Sequence, residues 1–277
     1  MSGLVSNLNG ASRIYAVFGD PVAQVQTPAL INPLFAEHGA DIWAVPFHVT
    51  RGNFETAWRA FAAMPNVAGI GVTVPHKVAA FRLCDRVTPA ASEVGAVNSI
   101  QHAPDGSMHG ALFDGLGFVR GLGENRKRLA GASVLLVGAG GAGRAIAHAL
   151  AENGIGRLSV IEIDAEARDF TIEMTNRVAR RTIAAEGNDT LSGHHMLINA
   201  TPIGLKSAES FPVDLTTLEP EVLVADIAAL SRETELLKLA RERGCPTSDG
   251  RDMLKAQIGL IAGFAAGHAA GTPLDGA

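Results

Sequence analysis

Six residues, Gly138-Ala139-Gly140-Gly141-Ala142-Gly143, carry glycines in the spacing G-x-G-x-x-G. An apolar run, 134–137, precedes them, and alanine-rich, helix-forming sequence follows to Gly154. In this setting the first glycine permits a tight turn, the second lets a diphosphate approach the backbone, and the third lets helix and strand pack closely. The helix N-terminus offers unpaired N–H groups to the phosphates. A second strand, 158–163, ends in acid, Glu162 with Asp164 close behind. A carboxylate about twenty residues past such a loop accepts hydrogen bonds from a ribose 2′-hydroxyl. Strand, glycines, helix, strand and acid in order point to a bound dinucleotide, whereas the glycines alone would fit an ordinary tight turn.

Binding a dinucleotide names no reaction, and two further junctions supply candidate chemistry. Val72-Thr73-Val74-Pro75-His76-Lys77 places a lysine just after a strand, in the first turn of a helix. Phe113-Asp114-Gly115-Leu116-Gly117-Phe118 places a carboxylate at another strand-to-helix junction. α/β proteins build their sites at the carboxyl ends of strands. Hydride removal from an alcohol needs a group to take the hydroxyl proton, and a lysine paired with an aspartate can do so. A neighbouring carboxylate favours an ammonium and desolvation favours the amine, so the protonation state stays open at this level. Taken singly, each residue also fits a surface charge or a salt bridge. His76 reads as exposed, His148 as packing, and His194-His195 lack the clustered acids or cysteines of a metal site. Trp43 and Trp58 read as core, and Arg177, Arg180 and Arg181 as a solvated face.

These residues need a scaffold. Strands are expected over 14–18, 42–49 and 67–74, with helices after Thr27-Pro28, where Thr27 can cap, and after Asn53. Residues 97–102 and 108–112 flank Pro104-Asp105-Gly106, a hairpin signal. A linking helix over 114–122 leads to the glycine-rich unit, followed by strands over 195–199 and 222–227 and a helix over 234–243. The last helix, 253–266, is too apolar to stand alone and should return to the first domain. Its three glycines, Lys255 and His268 make a buried helix a better reading than a membrane span. The expected architecture is α/β in two domains: an N-terminal α/β substrate domain, residues 1–114; a Rossmann-type dinucleotide-binding domain, 115–249; and a C-terminal helix, 250–277, packed on the substrate domain.

Composition narrows the class. A chain of 277 residues, 47% hydrophobic and 18% charged, has the material for a packed globular protein. A net charge of −5 gives no basic footprint for nucleic acid. Two cysteines, Cys84 and Cys245, make neither a disulfide framework nor a metal cluster, which fits a reducing cytoplasm. No signal-type apolar core opens the chain. The expected partner is a small molecule, with neither nucleic acid nor membrane; a homodimer is compatible with the sequence, which does not decide oligomeric state.

Taken together, the segments resemble the shikimate dehydrogenase family, with its quinate-using relatives. Gly19-Asp20-Pro21-Val22, Thr27-Pro28 and Asn32 resemble its G-x-P-I-x-H-S-x-S-P-x-x-H-N; Val72 to Lys77 resembles V-T-x-P-x-K; Gly95-Ala96-Val97-Asn98-Ser99 resembles G-A-V-N-T. Asp114-Gly115-Leu116-Gly117-Phe118 resembles D-x-x-G-F, Asn199-Ala200-Thr201-Pro202-Ile203-Gly204 resembles N-A-T-x-x-G, and Gly250, Met253, Leu254 and Gln257 resemble G-x-x-M-L-x-x-Q. The resemblance covers nearly the whole chain in order. It implies Lys77 and Asp114 as the catalytic pair; Val25, Thr27, Thr73, Asn98 and Gln257 at the substrate; and Gly138, Ala139, Gly140, Gly141, Ala142, Glu162, Asp164, Asn199, Ala200, Thr201, Gly250 and Met253 at the cofactor. No metal is implied.

The departures are specific. The family's paired serines, which grip the substrate carboxylate, are Val25 and Thr27 here, and the histidine before them is Gln24. Gly71 stands where an asparagine precedes V-T, Leu112-Phe113 where Asn-Thr precedes the aspartate, and Ala229 where a tyrosine follows a late strand. NADP-using relatives carry Asn-Arg-Thr where this chain has Glu162-Ile163-Asp164. Carboxylates repel a phosphate and accept bonds from a free hydroxyl, so NAD is expected, with NADP the alternative and Arg168 a further cation that can face a phosphate. The expected activity is reversible, NAD-dependent oxidation of a secondary alcohol on a shikimate- or quinate-type cyclic polyol, with altered substrate preference. The alternatives are the same chemistry on a ring without the carboxylate, and a low-turnover dinucleotide-binding sensor.

Overall fold

A computed structural model describes residues 8–179, 182–188, 190–203, 211–228 and 233–274. Gly204 and Ala229, and with them Arg180 and Arg181, lie outside the described residues. The chain divides into two compact units, one of Met1–Phe113 with Gln257–Ala277, the other of Asp114–Ala256. Against the expected limits at 114 and 249, Asp114 belongs to the second unit, and the second division falls inside the last helix.

The first unit is built on a six-stranded sheet. β1 (Arg13–Gly19), β2 (Ile42–His48) and β3 (Val67–Val72) are parallel neighbours in the order β2-β1-β3. β5 (Ser99–His102) runs antiparallel to β3 and pairs with β6 (Met108–Ala111) as the hairpin whose turn the sequence marked; β4 (Arg86–Val87) closes the edge. Helices α1 (Thr27–Glu37), α2 (Phe54–Ala62), α3 (Lys77–Leu83) and α4 (Pro89–Val94) connect the strands. Two expected caps are not made. Thr27 is already the first helical residue of α1, and Asn53 ends a 3-10 turn that runs straight into α2, so neither side chain bonds an N-terminal N–H. Thr88 does cap α4, accepting from Ala91 N–H.

The second unit holds an all-parallel sheet in the order β12-β11-β10-β7-β8-β9. Its strands are β7 (Ser133–Val137), β8 (Arg157–Ile161), β9 (Ile183–Glu186), β10 (Met196–Asn199), β11 (Leu223–Asp226) and β12 (Thr247–Asp249). Helices α5 (Asp114–Gly121), α6 (Gly141–Glu152), α7 (Ala165–Val178) and α8 (Glu235–Glu242) flank it. β7 lies between β10 and β8, so the chain leaves it in two directions, and the crevice at such a switch point is where α/β sheets bind ligands. Burial on both faces explains why β7, β10 and β11 are apolar but for one terminal residue each, Ser133, Asn199 and Asp226.

The last helix, α9 (Gly250–Ala265), starts earlier than its apolar stretch suggested. Beyond Gln257, its Leu260, Ile261, Ala262, Phe264 and Ala265 join Tyr15, Val17, Ile31 and Phe35 in the core of the first unit. Trp58 is core as expected, whereas Trp43 is only half-buried and donates to Asp41. Among the described residues no helix is long and apolar enough to cross a membrane.

Candidate active site

In the first unit Thr73 follows the end of β3, and Asn98 meets Gln257. Thr73 N–H donates to Phe18 O at 2.9 Å, and Thr73 O accepts from His76 N–H at 2.8 Å, so the turn after β3 is tied to the end of β1. Lys77 follows as the first residue of α3. His76, expected in solvent, is buried: its ring stacks on Phe54 at 4.4 Å, and Nε2–H donates to Val49 O at 2.6 Å. Burial without a charge partner in contact lowers the imidazole pKa, so the ring is held neutral. It anchors the residue beside Lys77 to the chain leaving β2.

Backbone bonds then link Lys77 to the other end of the site. Val97 N–H donates to Lys77 O at 3.1 Å, and Asn98 N–H to Ala111 O at 3.0 Å. The Asn98 side chain is buried, and its orientation is fixed by chemistry. A backbone N–H can only donate, so the bond from Phe113 N–H identifies Oδ1 as its acceptor at 2.9 Å. Asn98 Nδ2 therefore donates, and Gln257 Oε1 accepts at 2.9 Å. That leaves Gln257 Nε2 as the remaining amide group. Gln257 is 4% exposed, and Nε2 has no partner among the described residues. The pair therefore leaves one amide donor, Nε2–H, uncommitted among the described residues. Asp114 is the residue after Phe113, buried at the first position of α5.

The altered positions are mostly apolar packing. Val25, half-buried in the turn before α1, packs against the core around Tyr15, Ile31 and Phe35, and Thr27 is half-buried beside it in sequence. Phe113 sends its ring edge-on to Phe264 at 5.8 Å and keeps only its N–H for Asn98. At Gly71 an added Cβ would lie 2.9 Å from Tyr15 Oη and 3.0 Å from its ring. Tyr15 thus fills the room that a side chain at 71 would need, and its hydroxyl bonds Ser99 Oγ at 2.8 Å. Burial pushes this phenol well above its ordinary range, so it stays protonated.

The second unit places the glycine loop at the end of β7. Gly138 has φ +99°, a region that favours glycine, and a Cβ there would meet Ala200 backbone at 2.8 Å. A Cβ at Gly143 would meet Gly138 O at 2.0 Å, so the third glycine seats the helix on the turn. A Cβ at Gly140 would meet nothing within 4 Å, which leaves this glycine, the N-cap of α6, open to an approaching group. Such an open backbone at a helix N-terminus fits a diphosphate. Gly141 and Ala142 form the first turn of α6.

The two acids separate. Glu162 Oε2 accepts Ala139 N–H at 2.7 Å and Oε1 accepts Asp164 N–H at 3.1 Å, which holds the carboxylate against the glycine loop. Asp164 caps α7, its Oδ1 accepting from Glu166 and Ala167 N–H. Arg168 is paired with Glu186 at 2.8 Å and Asp169 at 3.0 Å. Asn199 ties down its own turn, accepting from Thr201 N–H and Oγ1–H and donating to Ile203 O, and its side chain also bonds Asp226. This turn sets Ala200 against Gly138. Gly250 is packing at close range, since its Cβ would meet Ile227 O at 2.3 Å; Met253 is buried, its backbone 2.7 Å from where a Cβ on Gly121 would lie. His194 and His195 are bonded to Ser159 and to Ser133 N–H, and His148 is buried on α6, 3.4 Å from Glu152. Three residues escaped the sequence reading: Tyr15, the buried ring of His76, and Arg144. Only the last had a visible signal, as a lone cation in the first turn after the glycines.

Residues 17–100 match the family described as the shikimate dehydrogenase substrate binding domain. The chain is 36% identical to a shikimate dehydrogenase (NADP(+)) of Acidiphilium cryptum over 94% of its own length and 91% of that protein. It is similar to the crystal structure of shikimate 5-dehydrogenase from Listeria monocytogenes in complex with shikimate and NAD, with TM-score 0.80, 26% identity and coverage of 97% and 96% of the two chains. It is also similar to the ligand-free 5-ketofructose reductase of Gluconobacter sp. strain CHM43, with TM-score 0.77, 30% identity and 94% coverage of each chain. A likeness in sequence that runs through both units, and not only through the dinucleotide loop, shows that the chain belongs to the shikimate dehydrogenase family.

Proposed function

We propose that this protein is a nicotinamide-dinucleotide oxidoreductase that reversibly oxidises a secondary alcohol on a shikimate- or quinate-type cyclic polyol, with NAD preferred. The observation that carries the substrate half is the buried Asn98–Gln257 amide pair, which leaves one donor for a ring oxygen in the same unit as Lys77. When bound, the dinucleotide supplies the hydride acceptor. Lys77 takes the hydroxyl proton as the carbinol C–H bond breaks, and returns it in reduction. Asp114 supports the lysine through these transfers. Gln257 Nε2–H donates to a substrate oxygen; Thr27 and Thr73 orient the ring. On the cofactor side, the Gly138–Ala142 backbone receives the diphosphate and Glu162 accepts from the ribose 2′-hydroxyl. A phosphate at that hydroxyl meets the carboxylate and loses the bond, which favours NAD on the order of 10²-fold in kcat/KM.

A second reading keeps the chemistry and changes the substrate to one without a carboxylate. Val25 favours it, since an apolar side chain packed on the core has no donor for a carboxylate oxygen, and the similarity to a 5-ketofructose reductase points the same way. Steady-state kinetics with NAD and NADP against shikimate, quinate and carboxylate-free analogues separate the two. The first reading expects NAD-linked turnover of the acids; Lys77→Ala should lower kcat roughly 10²–10⁴-fold with NAD affinity unchanged. Val25→Ser should lower KM for the acids alone, by up to about 10-fold, as a hydrogen bond to a charged group is regained. Turnover confined to carboxylate-free substrates would establish the second reading. Wild-type turnover in Lys77→Ala would overturn the assigned chemistry.

A further inference from the structure

Arg144 is half-buried in the first turn of α6, and two contacts hold its guanidinium. Nε donates to Ala139 O at 3.0 Å, the plane lies over the Phe170 ring at 4.5 Å from its centroid, and the charges of Asp164, Glu166 and Glu162 act on it. Burial disfavours the charge and the three carboxylates support it. The residue that receives Arg144 is the one that receives Glu162. Ala139 offers its carbonyl to the arginine and its N–H to the glutamate, so a cation and an anion are fixed on the backbone of one loop residue. Both side chains are thus tied to one loop residue, and the Glu162 carboxylate acts on the Arg144 charge. The remaining guanidinium N–H groups make no hydrogen bond among the described residues, whereas Arg168 is ion-paired with Glu186 and Asp169. Asp164 Oδ1 is in the α7 cap.

We propose that Arg144 is the specificity residue for a phosphorylated ribose: Glu162 reads a free 2′-hydroxyl and Arg144 receives a 2′-phosphate, so the ratio of NAD to NADP binding is set by the balance of these two groups on Ala139. This rests on the dinucleotide reading above and does not depend on which cofactor the wild type prefers. A planar guanidinium suits the task, because it bonds phosphate oxygens through a fixed fork of donors and keeps its charge beside an aromatic face. It also gives the loop a means of admitting NADP although Ile163, the adjacent side chain, is apolar and fully exposed.

Isothermal titration with NAD and with NADP on wild type, Arg144→Ala, Arg144→Gln and Glu162→Gln tests it. Arg144→Gln can still donate to Ala139 O and guards against a loop collapse in the alanine variant. The expected result is a rise in the NADP Kd of about 10- to 100-fold in both arginine variants, with the NAD Kd changed less than about 3-fold. Glu162→Gln should shift the ratio toward NADP. Equal weakening of both cofactors in Arg144→Gln would make Arg144 a support for the loop alone and overturn the proposal, as would an unchanged NADP Kd. A wild type that prefers NADP would refute the NAD preference proposed above, yet a selective NADP loss in the arginine variants would still uphold the role of Arg144.

Discussion

At Gln257 a single amide orientation decides which substrate group can be recognised. The bond from Phe113 N–H fixes Asn98, Asn98 fixes Gln257, and Gln257 Nε2 is left as the uncommitted donor. Gln257→Glu retains an oxygen for Asn98 Nδ2 and replaces only the uncommitted donor with an acceptor. The substrate should then lose a hydrogen bond and face an unpaired oxygen, a cost of roughly 1–3 kcal/mol that raises KM about 10- to 100-fold. An unchanged KM would show that the donor does not meet substrate. The sequence named both residues through their motifs, but not the direction of the amides. That direction depends on a backbone N–H at 113 and on a partner 159 residues from Asn98.

At the scale of elements, β3 shows how a strand can be designed around missing side chains. It is buried along its whole length, and a Cβ at Gly69 would lie 2.1 Å from Ile100 O, so its pairing with β5 depends on that glycine. Gly71 instead makes room for Tyr15, which reaches across to Ser99 on β5. Gly71→Ala should cost about 1–3 kcal/mol by overpacking against the ring. Combined with Tyr15→Leu, which vacates that space, the two changes should couple by roughly 0.5–3 kcal/mol rather than add. Urea unfolding of the two single variants and the double variant measures this; strict additivity would show that the ring does not fill the space at 71. The strands and the hairpin were readable from β-branched runs and a turn signal. The caps were misread because Thr27 and Asn53 have capping chemistry but already sit in helical or 3-10 backbone.

For the whole molecule, the late part of α9 completes a core that opens near residue 15. Phe264 is buried and meets Phe113 edge-on, and the neighbouring Leu260 and Ile261 close the same cluster. Phe264→Ala should destabilise the first unit by roughly 3–5 kcal/mol, through lost burial and the cavity left behind. Dinucleotide affinity measured under folding conditions should hold, because the glycine loop has its own core around Leu135, Val137, Leu197 and Val224. Chemical denaturation followed beside cofactor titration checks both; a loss below about 1 kcal/mol would mean that the site collapses around the missing ring. The apolarity of this helix announced its burial, whereas its start, Gly250 to Lys255, carries charge and little periodicity.

The sequence by itself determined the parts whose meaning lies in local backbone. The glycines at 138, 140 and 143 need a turn, an open approach and a close helix contact, and each requirement belongs to one position. Lys77 and Asp114 open helices because short strands end just before them. Tertiary structure decided which polar groups remain for a ligand. Glu162 and Asp164 are the first and second candidates on paper; one lies against Ala139 N–H and the other caps α7. Arg168 and Arg144 are both cations near the loop, but one is ion-paired and the other is bound to Ala139 O. A side chain's chemistry is local, whereas its availability is what remains after folding has supplied partners from distant parts of the chain, and only packing assigns those partners.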